Sequence, residues 1–111
     1  MLTKKEMELY KFKADICKAF ADPKRLIIIE ELRKGQRSVG DIVRLLAIPQ
    51  AAVSRHLAIL REKGIVDSRR EGTNVFYSLA DTKVCDASDL VHQILLSRLE
   101  KNHRLIEKIT H

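Results

Sequence analysis

Long apolar runs are missing from this chain. No stretch approaches ~18 uncharged apolar residues, the length a membrane-crossing helix demands. The opening stretch, MLTKKEMELYKFKADICKAF, is broken by charge too often to hold the apolar centre of a secretion signal. The expectation is a cytoplasmic protein with no membrane partner. Glycine is scarce, four residues in 111, and none stands in a phosphate-cradling pattern. No nucleophile sits beside a base, no carboxylates pair for acid–base work, and the histidines are dispersed, so an enzyme is not expected. Repeats, low-complexity segments and linkers are also absent. Cysteine is limited to Cys17 and Cys85, which in a reducing compartment do not imply a structural disulfide.

What the chain has is positive charge and a clear series of short elements. Lys and Arg number 21 against 15 Asp and Glu, a formal net charge of +6, which favours nucleic acid or an anionic membrane surface as partner. With 45% hydrophobic residues in 111, there is enough for one core and one domain, residues 1–111. Leu9, Phe12, Ile16 and Phe20 recur at helical spacing over about 4–21, and Asp22-Pro23 ends that helix and starts another. In PKRLIIIEELRKG, Gly35 is a C-cap and Leu26, Ile27, Ile29 and Leu32 read as buried packing. Ser38, three residues before Asp41, opens a third helix that runs to about Ala47.

Only Ile48 and Pro49 separate that helix from the next, PQAAVSRHLAILREKG. Two short helices joined so tightly cross steeply, a helix-turn-helix over about 38–63. The second helix buries Val53, Leu57 and Leu60 on one stripe and crowds polar residues into its opening turns. Beyond Gly64, IVDSRR and VFYSLA have the β-branched and aromatic content of strands, and EGTN supplies a turn. This predicts a hairpin over about 65–80. A long helix then runs over about 82–109, with Leu95, Leu99, Asn102, Ile106 and Ile109 forming a seam that wants a partner helix.

The order of these elements, with ADPKRLIIIEELRKG, SVGDI, QAAVSRHLAILREKGIV and SRREGTNVFYSLAD, resembles the ArsR/SmtB family of winged-helix repressors over roughly residues 9 to 99. The resemblance implies a mainly α fold with a β-hairpin, a winged helix-turn-helix dimerising through its first and last helices. It also implies a homodimer that binds double-stranded operator DNA of imperfect two-fold symmetry and releases it when a small inducer binds.

In that frame the polar residues acquire roles. A helix fits the major groove and its first residues reach base edges. Gln50 can pair with adenine, Arg55 with guanine or phosphate, and Ser54 and His56 with either base or backbone. Ala51 lets the helix approach and can touch a thymine methyl. Arg69, Arg70, Thr73 and Asn74 would follow the backbone or minor groove, with strand alternation turning only one arginine toward DNA. Ser38, Lys24 and Arg25 are weaker candidates at helix starts. The plainer alternative is a set of solvated surface residues.

For the inducer, the chain departs from the family's known sites. Where metal- and arsenite-sensing members carry Cys-x-Cys at the third helix, this chain has Ser38, Val39, Gly40 and Asp41. Where zinc-sensing members carry Asp-x-His, it has Asp81 and Lys83, and lysine is no ordinary zinc ligand. Two candidates remain. Cys17 and Cys85 lie in the helices that pack together in the family, and can respond to a thiol-reactive species, a metal or a metalloid; the alternative is two small packing residues. Asp89 and His92, with His103 and Glu107, can hold a metal only where two copies of the helix cross, because His92 and His103 lie about 16 Å apart along one helix. No cofactor is required for DNA binding. A protein-interaction module built on the last helix, without DNA binding, is the other functional class; it would not need Gln50, Ser54 and Arg55 together.

Overall fold

The structure is a computed structural model describing residues 1–110, without the side chains of residues 103–106. The chain divides into two compact units, Met1–Asp81 and Thr82–His111. The first contains helices α1 (Lys4–Lys18), α2 (Pro23–Arg33), α3 (Val39–Leu46) and α4 (Gln50–Glu62), and strands β1 (Arg37–Ser38), β2 (Val66–Glu71) and β3 (Asn74–Leu79). The second contains α5 (Lys83–Lys101) and α6 (His103–Thr110). No single described helix is long and apolar enough to cross a membrane.

Capping residues set the helix starts. Thr3 and Ser38 each form a reciprocal capping box, with Glu6 and Asp41, and Asp22 accepts from the Lys24 and Arg25 amides before Pro23 opens α2. Helix α1 ends earlier than its apolar spacing implies. After Lys18, three successive i to i−3 hydrogen bonds, from Ala19, Phe20 and Ala21, tighten the chain into a final turn. Its end is closed from outside. Arg25 of α2 donates Nη2 to the Lys18 carbonyl at 2.8 Å and Nε to the Ala19 carbonyl at 3.1 Å, satisfying acceptors a helix end leaves open.

The core sits between α2, α3, α4 and the sheet. Ile28, Ile29, Ile42, Val53, Leu57, Leu60 and Val66 are its largest fully buried side chains. On α2 the spacing places Ile27 in the core, but Ile27 is 45% exposed and Ile28 takes the inward position. Three consecutive isoleucines cannot all face inward on a helix, and no polar residue stands among them to fix the phase of the periodicity. The axes of α3 and α4 are bent by 115° at the turn between them. Ala47 makes that turn in the left-handed region, φ 52 and ψ 41, donating its amide to the Val43 carbonyl at 2.8 Å.

The strands and the last helix depart from the sequence pattern. The hairpin has a third strand, giving the antiparallel order β1-β3-β2, with Arg37 opposite Tyr77 and Ser38 opposite Phe76. Glu71 pairs with Asn74, so Gly72 and Thr73 form a two-residue loop with Gly72 at φ 60, the pattern of a type II′ turn whose twist suits a hairpin. The terminal helix is not continuous to 109. Asn102, at φ −135 and ψ 88, separates α5 from α6, so the seam from Leu95 to Ile109 is interrupted. Ile106 and His103 lie outside the described side chains.

Helix α1 contributes no buried residue of its own, and Met7, Leu9, Tyr10, Phe12 and Ile16 are all exposed. Besides Arg25, it is held by Asp15, which accepts from Lys63 Nζ at 2.6 Å just beyond α4.

Candidate nucleic-acid interface

Burial of Val53, Leu57 and Leu60 at i, i+4 and i+7 fixes the rotation of α4, with Ala52, His56 and Ile59 half-buried at the margins of that stripe. Gln50, Ala51, Ser54 and Arg55 are exposed. Pro49 precedes α4 without any side-chain cap, so the first turn presents open amide donors beside Gln50.

The starts of α3 and α4 and the tip of the wing meet in one concavity of about 410 Å³. Ser38, Gly40, Arg44, Gln50, Thr73 and Asn74 line it. Four of these, Ser38, Gln50, Thr73 and Asn74, are legible in the sequence as DNA candidates; Arg44 and Gly40 are not. Arg44 is exposed and donates to Asp41 Oδ1 at 2.6 Å. The Ser38 amide, which donates to Asp41 Oδ2 at 2.9 Å, is the main cause holding the Asp41 carboxyl below its ordinary range, with Arg44 adding to it. Asp41 thus stays an anion, with Arg44 alongside as its counter-charge. The signal for Arg44 lies in its i, i+3 spacing from Asp41.

His56 is placed differently from its neighbours on α4. It is half-buried, and its Nδ1 accepts from Arg25 Nη1 at 3.4 Å. Burial is the main cause lowering its pKa below 6.5; Arg25, Lys24 and Arg55 lower it further while Asp22 opposes them. Arg25 is engaged with the α1 end and with His56, and its side chain is only 13% exposed. Lys24 beside it is exposed.

On the wing, Arg69 pairs with Phe76 and Arg70 with Val75 across β2 and β3, so the two arginines stand on opposite faces. Arg70 shares its face with Val75, which also lines the concavity. Arg69 shares its face with Phe76, whose ring centroid lies 5.8 Å from the guanidinium.

The sensor candidates stand on other helices. Cys17 is exposed on α1 and Cys85 half-buried on α5; both are free thiols. Asp89 is half-buried, His92 and Glu107 are exposed, and among the described residues no three His, Cys, Asp or Glu side chains cluster to hold a metal.

A helix-turn-helix pair followed by a hairpin wing defines a winged helix-turn-helix domain, and comparison with known proteins carries the assignment further. The sequence model of the bacterial regulatory protein, arsR family, matches residues 22–68. An HTH-type transcriptional regulator of Methanocaldococcus jannaschii is 43% identical over 89 residues, covering 79% of this chain and all of that protein. The transcriptional activator HlyU of Vibrio cholerae is 40% identical over 90 residues, covering 80% of this chain and 83% of that one. Among solved structures, a homodimeric winged helix-turn-helix DNA-binding domain from Mycobacterium bovis superposes with a TM-score of 0.81 at 30% identity, covering 93% of this chain and 95% of that one. NolR from Sinorhizobium fredii does so with a TM-score of 0.78 at 30% identity, over 85% and 94% of the respective chains. The chain belongs to the ArsR family of transcriptional regulators and has its winged helix-turn-helix DNA-binding fold.

Proposed function

We infer that this regulator acts as a homodimeric repressor, one DNA-binding domain per chain, that docks α4 into the major groove of a two-fold operator. The observation that carries the reading is the convergence of Ser38, Gln50, Thr73 and Asn74 on one concave surface at the start of α4. Gln50 in that surface, with Ala51, Ser54 and Arg55 exposed along the opening turns of α4, reads base edges and nearby phosphates. Ser38, Thr73, Asn74 and Arg70 hold the backbone and set the register. Arg69 and His56, engaged within the chain, support these contacts from behind.

Dimerisation through the first and last helices explains why α1 leaves Leu9, Phe12 and Ile16 exposed, and agrees with the homodimeric neighbour from Mycobacterium bovis. Repression agrees with the name of another relative, the biofilm growth-associated repressor of Agrobacterium fabrum, 40% identical over 81 residues. An inducer at the dimer helices would change the separation of two reading heads that must meet successive major grooves about 34 Å apart. The exposed Cys17 makes a thiol-reactive species or a soft metal or metalloid the inducer to test first, with Cys85 as its partner. The intersubunit set of Asp89, His92, His103 and Glu107 is the second.

The test is fluorescence anisotropy on a labelled duplex of the DNA upstream of the protein's own gene. Binding is measured at fixed salt with reduced protein, then after a disulfide or persulfide donor, and then with arsenite or zinc. Saturable binding that competing unrelated duplex does not remove supports the reading; binding equal on any sequence overturns operator recognition. Loss of binding on oxidant, prevented by Cys17→Ser or Cys85→Ser, identifies a thiol switch, and insensitivity to every addition removes both inducer candidates. A reporter driven by the same DNA, rising when the gene is deleted, separates repression from activation.

A further inference from the structure

Arg69 and Arg70 are neighbours in sequence with different surroundings. Ser38, Phe76 and Arg69 stand side by side across β1, β3 and β2, which puts their side chains on one face. There the Arg69 guanidinium covers the Phe76 ring, pairs with Glu71 through Nη1 and donates Nη2 to Gln36 Oε1 at 2.8 Å. Gln36 precedes β1, and β1 leads straight into the Ser38 cap of α3. Arg70 is exposed and carries no hydrogen bond or ion pair among the described residues.

The wing needs such a tie. β1 supports β3 only at Tyr77 and Phe76, so Asn74, Val75, Arg70 and Glu71 project beyond the third strand as a two-stranded ribbon. A two-stranded ribbon is barely stable alone, and its tip carries Thr73 and Asn74 into the concavity. The planar fork of Arg69 reaches Gln36 and Glu71 at once, which a lysine ammonium on its flexible stem does not reproduce. Its charge is already matched by Glu71 and has little left for phosphate.

We propose that Arg69 is a positioning residue of the DNA site: through Gln36 and Glu71 it fixes the wing against the root of α3, and Arg70 alone supplies the wing's arginine–phosphate contact. The proposal rests on the DNA-binding reading above, and its test separates the two. Affinity for the labelled upstream duplex is measured across a salt series for the wild type, Arg70→Ala, Arg69→Ala, Arg69→Lys and Gln36→Ala. Removing one phosphate-bound cation lowers the slope of log affinity against log salt by about 0.9.

Arg70→Ala is expected to weaken binding and reduce the slope by that amount for each wing engaged. Arg69→Ala, Arg69→Lys and Gln36→Ala are each expected to weaken binding severalfold with the slope unchanged. The Gln36→Ala/Arg69→Ala double variant should be no worse than Arg69→Ala alone, because both changes cut one connection. Gln36 is exposed in a connecting segment, so its variant keeps the test open if an Arg69 variant fails to fold by circular dichroism. Wild-type binding by Gln36→Ala overturns the proposal. So does wild-type binding by Arg69→Lys together with a reduced slope for Arg69→Ala, since a lysine can still meet a phosphate. If Arg70→Ala leaves both affinity and slope unchanged, Arg70 meets no phosphate and the proposal is overturned, while the DNA-binding reading falls only if the wild type itself shows no operator preference.

Discussion

Arg25 donates Nη1 to His56 Nδ1 at 3.4 Å, joining the side chain that closes α1 to the middle of α4. A guanidinium is always a donor, so Nδ1 must carry its lone pair, and a protonated imidazole cannot accept this bond. Burial and the cations Arg25, Lys24 and Arg55 lower the His56 pKa, with Asp22 opposing, so the folded value lies below 6.5. As pH falls the unfolded chain therefore takes up the proton first. Stability from this residue is intact above about pH 6.5 and is lost as pH falls from there through the folded value. Urea midpoints from about pH 8 to about pH 5 should decline in that lower window, and His56→Gln, whose amide oxygen still accepts, should flatten the decline. An equal slope in the variant would mean another group is responsible.

Replacing Gln50 and Arg55 together by alanine should remove operator preference while leaving the fold intact, since both are exposed. Each base contact is worth about 1–3 kcal/mol of discrimination, so specific affinity should fall by several orders of magnitude toward the non-specific level. Sedimentation of the free protein, unchanged from wild type, would show that assembly is untouched. Normal operator binding by the double variant would assign the reading face elsewhere.

Ala47 occupies the left-handed region without being glycine. An L side chain there costs roughly 1–2 kcal/mol, and Ala47 is exposed, so its methyl can be removed without opening a gap in the core. Ala47→Gly is expected to stabilise the domain by about 0.5–1 kcal/mol after the greater freedom of glycine in the unfolded chain is deducted. Calorimetry would register this as a higher Tm, with operator affinity unchanged.

Ser38 caps α3 and also borders the proposed DNA site. Its hydroxyl accepts from the Asp41 amide at 3.1 Å, and the same side chain lines the concavity. Ser38→Ala should cost about 1 kcal/mol of stability by removing the cap. It should also weaken DNA binding at temperatures where the variant is fully folded. Full affinity there, measured by anisotropy, would confine Ser38 to capping.

Leu57→Ala removes a side chain with no exposed surface from the stripe that orients α4. A loss of about 2–5 kcal/mol is expected from chemical denaturation. A loss below about 1 kcal/mol would mean that the core closes over the gap.

The helix-turn-helix is legible because Val53, Leu57 and Leu60 have no alternative phase, and because Ser38 and Asp41 announce a helix start. Spacing fails at Ile27 and Ile28, where an unbroken apolar run leaves rotation undetermined until α4 and β3 pack against it. β1 is invisible for another reason: two residues carry no period, and Ser38 reads as a cap, a role it fills at the same time. Alternation shows that Arg69 and Arg70 diverge, but choosing between them requires Gln36, 33 positions away in sequence. Arg25 and His56 look like surface groups in the sequence because nothing local records a contact spanning 31 residues.

The joint at Asn102 bears on how the C-terminal region can vary. Nineteen residues of α5 span about 28 Å at 1.5 Å per residue, and there the regular spiral stops. A residue inserted into α5 would rotate every later side chain on that helix by about 100°. One inserted after Asn102 would alter α6 and leave the spiral upstream in phase. The joint thus marks where one helical register ends, and the apolar spacing of α5 is not carried in phase into α6.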